Sequence, residues 1–217
     1  MQDNVQGNAL KDVLVVSDVS GSMCGTPMEV SIALGILISD FSAPPFTGNV
    51  ITFSTNPTFH QLPQGARLWD KVQSLKRADW GGTTNLMAVF KLILHKLRSG
   101  KFAASPKALI ILSDMQFDMA VEPEMRGATN LEAARAMFRE RGLEMPGVVF
   151  WNLRHSENNA FPITVNDKGV TILSGPSPTL MDCLLQGGEL TPMGILREMV
   201  LNNPRYASIT YPGVFYD

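Results

Sequence analysis

Several short segments of the chain are built around runs of aliphatic and aromatic residues. They lie at about 12–18, 49–54, 107–114 and 147–153. Short apolar runs bounded by turn residues are typical of strands buried on both faces, as in a parallel sheet. A briefer segment at 58–62 predicts an edge strand, and residues 166–169 predict a turn between two short strands ending near Leu173.

Between these strands, apolar residues recur at helical spacing. The predicted helices begin near residues 26, 68, 86, 130, 179 and 192, and an extended tail is predicted from Tyr206 to Ile209. TPME at 26–29 and TNLE at 129–132 have the form of capping boxes, and Asn85 can cap the third helix. Alternating strands and helices predict an α/β fold with a doubly wound, mostly parallel central sheet flanked by helices. In such sheets the ligand crevice lies at the carboxyl ends of the strands.

Composition adds a size and an environment. The 217 residues, 45% hydrophobic and 18% charged, predict one globular domain over 12–217 after an N-terminal extension over 1–11. A net charge of −2 gives no global basic field for nucleic acid or anionic lipid. Two distant cysteines, Cys24 and Cys183, favour reduced thiols in an intracellular protein, cytoplasmic or nuclear. No secretory signal or membrane-spanning run is evident, so no membrane association is expected.

Oxygen-bearing side chains cluster directly after the first predicted strand. Asp18, Ser20 and Ser22 present a carboxylate and two hydroxyls, and Gly21 and Gly25 allow a tight turn around them. Hard oxygen ligands suit Mg²⁺, with Mn²⁺ or Ca²⁺ as alternatives, and suit zinc poorly. Two later segments also end in oxygen-bearing residues at predicted element boundaries, WGGTTN at 80–85 and LIILSD at 109–114.

These three segments, in this order, resemble the metal-ion-dependent adhesion site (MIDAS) of von Willebrand factor A (vWA) domains. The resemblance implies that Ser20 and Ser22 coordinate a metal through their hydroxyls, and that Thr83 does so when a ligand is bound. It implies that Asp18 and Asp114 act directly or through bound waters. With few direct carboxylates the metal keeps positive charge and an exchangeable position, which a partner's carboxylate can fill. Asp114 and Ser22 are expected on solvent-facing loops.

Other residues near these segments have plainer interpretations. Thr84 is expected to help cap the third helix, Asp118 to form a local turn, Met23 to pack under the loop, and Cys24 to be a small filler. The three histidines are separated in sequence and are expected to be surface or locally bonded residues: His60, His95 and His155. Basic residues in the second helix, at 67, 71, 76 and 77, predict a solvated face, although such a patch near Trp80 could hold single-stranded RNA.

A narrower resemblance covers nearly the whole chain from Asp12. SDMQFD at 113–118, MPGVVFWNLR at 145–154 and ILSGPS at 172–177 are similar to blocks of an uncharacterised eukaryotic and viral family of vWA-like proteins. That family is distantly similar to the C-terminal domain of Ro-type (TROVE) RNA-binding proteins. Its members usually carry a longer helical N-terminal region, which implies that this chain is the C-terminal domain of a larger protein. His155 stands where relatives often have an acidic residue.

Three functions follow as hypotheses. The first is a metal-dependent protein-interaction module that binds an Asp or Glu of a partner protein. The second is an RNA-associated, Ro-like ribonucleoprotein domain, which a basic surface groove would favour. The third is a metal-dependent hydrolase, which needs a base within reach of a metal-bound water. Ser22 has no evident base beside it, and no G-x-S-x-G, Walker or H-E-x-x-H motif occurs, so no enzyme is expected.

Overall fold

A computed structural model describes residues 10–78, 85–115, 130–154, 169–175, 181, 192–197, 200 and 204–206. Within these ranges the strands are β1 (Val13–Ser17), β2 (Asn49–Thr52), β3 (Phe59–Gln61), β4 (Ala108–Ser113), β5 (Gly147–Asn152) and β6 (Val170–Ser174). The helices are α1 (Thr26–Phe41), α2 (Leu68–Lys76), α3 (Leu86–Arg98), α4 (Asn130–Arg139) and α5 (Pro192–Leu196). Short 3₁₀ turns cover Gly21–Met23 and Pro204–Tyr206.

The strands form one sheet in the order β3-β2-β1-β4-β5-β6. Among the described strands, β3 at the edge runs antiparallel to its neighbour and the other pairings are parallel. The predicted α/β class with a mostly parallel central sheet is confirmed. In the β1–β4 register Ser17 lies opposite Leu112, so both strands end at the same edge of the sheet. Asp18 follows Ser17 and is level with Ser113, and Asp114 is the next residue, so both carboxylates leave the same end of the sheet.

A hydrophobic core lies on each face of the sheet, and the central strands contribute to both. Val13 and Val15 belong to one core, whereas Leu14 and Val16 belong to the other, because successive side chains of a strand point to opposite faces. α1 covers the first core and α3 and α4 cover the second. This two-sided burial explains why β1 has an uninterrupted apolar run, since every one of its residues is buried.

The starts of the helices agree only in part with the predicted caps. Asn85 caps α3 as predicted, because its side-chain oxygen accepts a hydrogen bond of 2.9 Å from the backbone N–H of Ala88. The capping box predicted at Thr26 is wrong. Gly25 occupies the N-cap with φ 93°, a conformation that favours glycine, and Thr26 is already the first helical residue. The second predicted box begins at Thr129, outside the described residues.

The C-terminal predictions are tested over short stretches. Tyr206 ends a 3₁₀ turn, so the extended tail predicted to begin there is wrong at its first residue. The helix predicted over 192–201 is observed as α5, and β6 matches the second of the two short strands predicted near Leu173. The turn at 166–168 and nearly all of the helix at 179–185 lie outside the described residues. No helix in the described ranges is long and apolar enough to span a bilayer.

Candidate metal centre

Asp18 is held in place by contacts at three of its atoms. Its backbone N–H donates to the carbonyl of Leu112 at 2.9 Å, which extends the β1–β4 ladder by one residue. Its Oδ1 accepts from the backbone N–H of Ser20 at 2.8 Å, and its Oδ2 accepts from the hydroxyl of Ser113 at 2.7 Å. The residue is fully buried. The carboxylate is therefore fixed in orientation from both the loop after β1 and the neighbouring strand β4.

The two predicted hydroxyl ligands lie on a 3₁₀ turn beside Asp18. The backbone N–H of Met23 donates to the carbonyl of Ser20 at 2.9 Å, and this closes the turn. The turn brings the hydroxyl oxygens of Ser20 and Ser22 to within 3.0 Å of each other. Both serines are partly exposed, whereas Met23 is fully buried beneath them, as predicted. The loop thus presents two hydroxyls toward solvent on an apolar support.

Asp114 follows β4 and is fully buried, so its predicted place on a solvent-facing loop is wrong. The next residue, Met115, has φ 68° and is itself buried in the core covered by α3 and α4. The backbone N–H of Met115 donates to the hydroxyl of Ser113 at 3.2 Å. The chain therefore turns sharply after β4, and Asp114 stays buried at the carboxyl end of that strand.

The carboxylates of Asp18 and Asp114, both buried at the carboxyl ends of the central strands, repel each other. Burial raises the pKa of Asp18 above its ordinary value of 3.8, and the nearby charge of Asp114 raises it further. The hydrogen bonds from Ser20 and Ser113 act in the opposite direction but do not cancel the effect of burial. A cation placed between the two carboxylates would remove this repulsion.

The second loop of the predicted site is not described. Thr83, with Trp80 and Thr84, lies outside the described residues, and so does Asp118. The structure therefore places four of the five predicted residues. Asp18, Ser20 and Ser22 lie together, and Asp114 lies close enough to Asp18 to shift its pKa.

The described residues fit a small divalent cation. The hydroxyls of Ser20 and Ser22 share a hydrogen bond of 3.0 Å. Neighbouring ligands of an octahedral ion at ~2.1 Å are also about 3.0 Å apart, so the two oxygens are spaced compatibly with such an ion. In the described ranges no three side chains of His, Cys, Asp or Glu come together. The oxygen atoms available at this place are two carboxylates and two hydroxyls, and oxygen donors of this kind suit Mg²⁺ or Mn²⁺ better than a soft metal.

Sequence reasoning missed two residues beside this site. Ser113 had no predicted role, although a hydroxyl at the end of an otherwise apolar strand is a usable signal. Arg154 follows β5, and its Nη2 donates to the backbone carbonyl of Cys24 on the site loop at 3.2 Å. Arg154 and Cys24 are 130 positions apart, so no local pattern could have indicated this contact. Ser113 at the end of β4 and Arg154 just after β5 thus contact the loop after β1 from two other parts of the sheet.

Comparison with solved structures defines the class of fold. The Ro (RSR) protein of Deinococcus radiodurans aligns with a TM-score of 0.55 and 18% identity, over 83% of this chain and 35% of that chain. A mussel byssus protein, proximal thread matrix protein 1 with a zinc-occupied MIDAS motif, aligns with a TM-score of 0.50 and 14% identity, over 81% and 47%. Together with the sheet order, these similarities establish a vWA-like α/β fold.

Sequence comparison then gives the family. Residues 12–201 match the family described as a domain of unknown function, DUF7788, and the chain belongs to that family. The uncharacterised protein L728 of Acanthamoeba polyphaga mimivirus is 40% identical over 187 residues, which are 85% of this chain. The chain spans 32% of the length of that viral relative.

Proposed function

We propose that this domain binds a divalent cation, Mg²⁺ by preference, and uses it to capture an Asp or Glu side chain of a partner protein. The metal would be held by Ser20, Ser22 and Thr83, with Asp18 and Asp114 in support. The observation that carries the proposal is the pair of hydroxyls 3.0 Å apart beside two buried carboxylates. A relative of the same fold with a metal-occupied MIDAS adds support.

The chemistry of the donors favours binding over hydrolysis. Neutral hydroxyls donate little charge, so a bound divalent cation would supply an electrophilic centre for an incoming anionic oxygen. A hydrolase also needs a base to take a proton from water. Both oxygens of Asp18 already accept hydrogen bonds, from Ser20 and Ser113, and this fixes the carboxylate in a supporting position. The described site therefore suits capture of a carboxylate.

Partner capture tests the proposal directly. Immobilised wild-type protein is expected to retain a lysate protein in Mg²⁺ and release it on chelation. Ser22→Ala and Asp114→Asn should each abolish this chelator-sensitive capture, because they remove a hydroxyl donor and a negative charge from the site. Ser99→Ala is a matched control, since that exposed hydroxyl caps the far end of α3. The bound proteins are identified by mass spectrometry, and circular dichroism verifies the fold of each variant.

Two results would contradict the proposal. One is a partner that stays bound to both site variants in the presence of chelator. The other is a metal-dependent phosphatase or nuclease activity that disappears in both variants, which would favour the hydrolase hypothesis. In either case the binding function would have to be replaced.

A basic groove keeps RNA binding as a second candidate function. A cavity of about 590 Å³ lies between α3 and α4, and Lys91, His95, Arg98 and Arg141 are among its lining residues. These helices run antiparallel to the strands. Their last turns therefore lie at the amino ends of the strands, on the opposite side of the sheet's length from the metal centre. The basic face of α2 offers less, because Lys71 and Arg67 pair with Asp40 and Asp70. Among the described residues, no Phe, Tyr or Trp side chain lines the cavity, whereas single-stranded RNA sites usually stack bases on aromatic rings.

We therefore expect weak RNA binding. A labelled single-stranded RNA should bind with a dissociation constant weaker than the micromolar range at physiological salt, as measured by fluorescence anisotropy. Submicromolar binding that falls steeply with salt would reverse this ranking, since each phosphate contact adds to the salt dependence. If binding is that strong, the double variant Arg98→Glu/Arg141→Glu should lose it. The charge-matched variant Lys76→Glu/Arg77→Glu lies at the end of α2. It should keep the binding if the RNA occupies the groove and lose it if the RNA occupies the α2 face.

A further inference from the structure

The geometry points to Arg154 as a second anchor for the captured carboxylate, beside the metal. This inference rests on the proposed function, because it assigns the residue that selects an acidic side chain at the same site. Arg154 is absent from the five predicted ligands, and it follows β5, a strand whose end supplies none of them.

The backbone brings Arg154 to the edge of the site. The N–H of Leu153 donates to the carbonyl of Ser113 at 2.9 Å, so the β4–β5 ladder continues past the last strand residue. Arg154 follows, and its own N–H donates to the Oδ1 of Asn152 at 3.0 Å. This turn fixes the start of the side chain at the level of the residues that follow Ser113.

The side chain then crosses β4 toward the loop after β1. Its Nη2 reaches the carbonyl of Cys24, two residues beyond the hydroxyl of Ser22. In the sheet order β1 and β5 flank β4, so a side chain that joins their ends passes the end of β4, where Asp114 lies. The guanidinium therefore lies against the loop that carries Ser20 and Ser22.

The charge of Arg154 is not neutralised within the described part of the chain. No carboxylate there forms an ion pair with it, and its Nε is buried without a hydrogen-bond partner. A guanidinium has five N–H donors in a planar fork, and the contact with Cys24 uses one of them. The second N–H of Nη2 and the two N–H groups of Nη1 make no hydrogen bond within the described part of the chain, so a carboxylate oxygen can accept from them.

A carboxylate suits this pair of anchors. One of its oxygens can enter the metal's exchangeable position while the second accepts from the guanidinium. Arg binds carboxylates in a planar, charge-assisted geometry that a neutral amide does not match. The pairing would discriminate Glu from Gln and Asp from Asn. The guanidinium would also attract the partner's carboxylate in addition to the metal.

The test must separate this role from simple bracing of the loop. Arg154→Gln removes the charge and the planar fork, and its shorter side chain also loses the contact with the carbonyl of Cys24. The Mn²⁺ affinity therefore reports separately whether the site loop is still held in place. Arg98→Gln is the matched control, because Arg98 is exposed at the opposite edge of the sheet. Mn²⁺ binding is measured by electron paramagnetic resonance. Peptide binding to the Mn²⁺-loaded protein is measured by water-proton relaxation, with acetylated and amidated Gly-Glu-Gly and Gly-Gln-Gly as probes.

We expect Arg154→Gln to bind Mn²⁺ within about twofold of wild type and to bind Gly-Glu-Gly about tenfold more weakly, as for loss of a charged hydrogen bond. Wild type and Arg98→Gln should both prefer Gly-Glu-Gly to Gly-Gln-Gly, and Arg154→Gln should lose most of this preference. Equal affinity of wild type and Arg154→Gln for Gly-Glu-Gly would overturn the inference alone. Failure of wild type to bind Mn²⁺, or of its Mn²⁺ form to bind Gly-Glu-Gly, would overturn the proposed function itself.

Discussion

Mn²⁺ at a hundred times its dissociation constant is expected to raise the free energy of unfolding of the wild-type protein by about 2.7 kcal/mol, because the ligands come together only in the folded state. Thermal unfolding with increasing Mn²⁺ measures this as a rising midpoint. In Asp18→Asn the rise should disappear, since the variant lacks one of the two buried negative charges at the site.

Metal-free Asp18→Asn is a control, because removing this buried charge should not lower the stability of the folded protein. Because the pKa of Asp18 is raised in the folded protein, its ionised form costs stability at neutral pH. The favourable contribution of the protonated form is present at acidic pH and is lost as the pH rises through the raised pKa. Metal-free Asp18→Asn should therefore be at least as stable as metal-free wild type at pH 7. Equal Mn²⁺ shifts in both proteins, or none in either, would refute metal binding at Asp18.

Ser113→Ala is expected to weaken Mn²⁺ binding by about 10- to 100-fold, the usual effect of removing a group that orients a metal-site carboxylate. The Ser113 hydroxyl donates to Asp18 Oδ2 and accepts from the N–H of Met115, so its loss frees the carboxylate on one side. Isothermal titration calorimetry gives the dissociation constants.

Ser17→Ala is the matched control for Ser113→Ala. Ser17 is a fully buried serine at the end of the neighbouring strand, but its hydroxyl bonds to Ser31 of α1 at 2.8 Å and not to Asp18. This variant should lose some stability and keep the wild-type affinity for Mn²⁺. If both variants lose the same affinity, the effect comes from general loosening of the sheet edge, and the role of Ser113 is refuted.

The sequence was most informative where burial acts on both faces of an element. β1 and β4 each have every residue buried, so each run had to be apolar without alternation. The edge strand β3 was also predictable, because Asn56-Pro57 marks a turn before it and its residues are only partly buried. Hydrophobic pattern and turn chemistry agreed for these strands, and the sheet followed from them.

The predictions failed where a neighbour distant in sequence, or a backbone conformation, decides the outcome. Thr26 has a good capping side chain, but the positive φ of Gly25 sets the N-cap one residue earlier. Asp114 follows a strand and so resembles a loop residue, yet it is fully buried at the sheet edge. The roles of Asp18 and Asp114 as metal ligands remain predictions, as does that of Thr83, outside the described residues.

The left-handed residue after Asp114 has a consequence for the entropy of binding. A non-glycine residue such as Met115 adopts φ 68° only where its surroundings enforce it, and here its side chain is anchored in the core. That ordering occurs when the chain folds, before any ligand arrives. The Asp114 segment therefore has little conformational freedom left to lose on association, and more of the interaction free energy remains available as affinity.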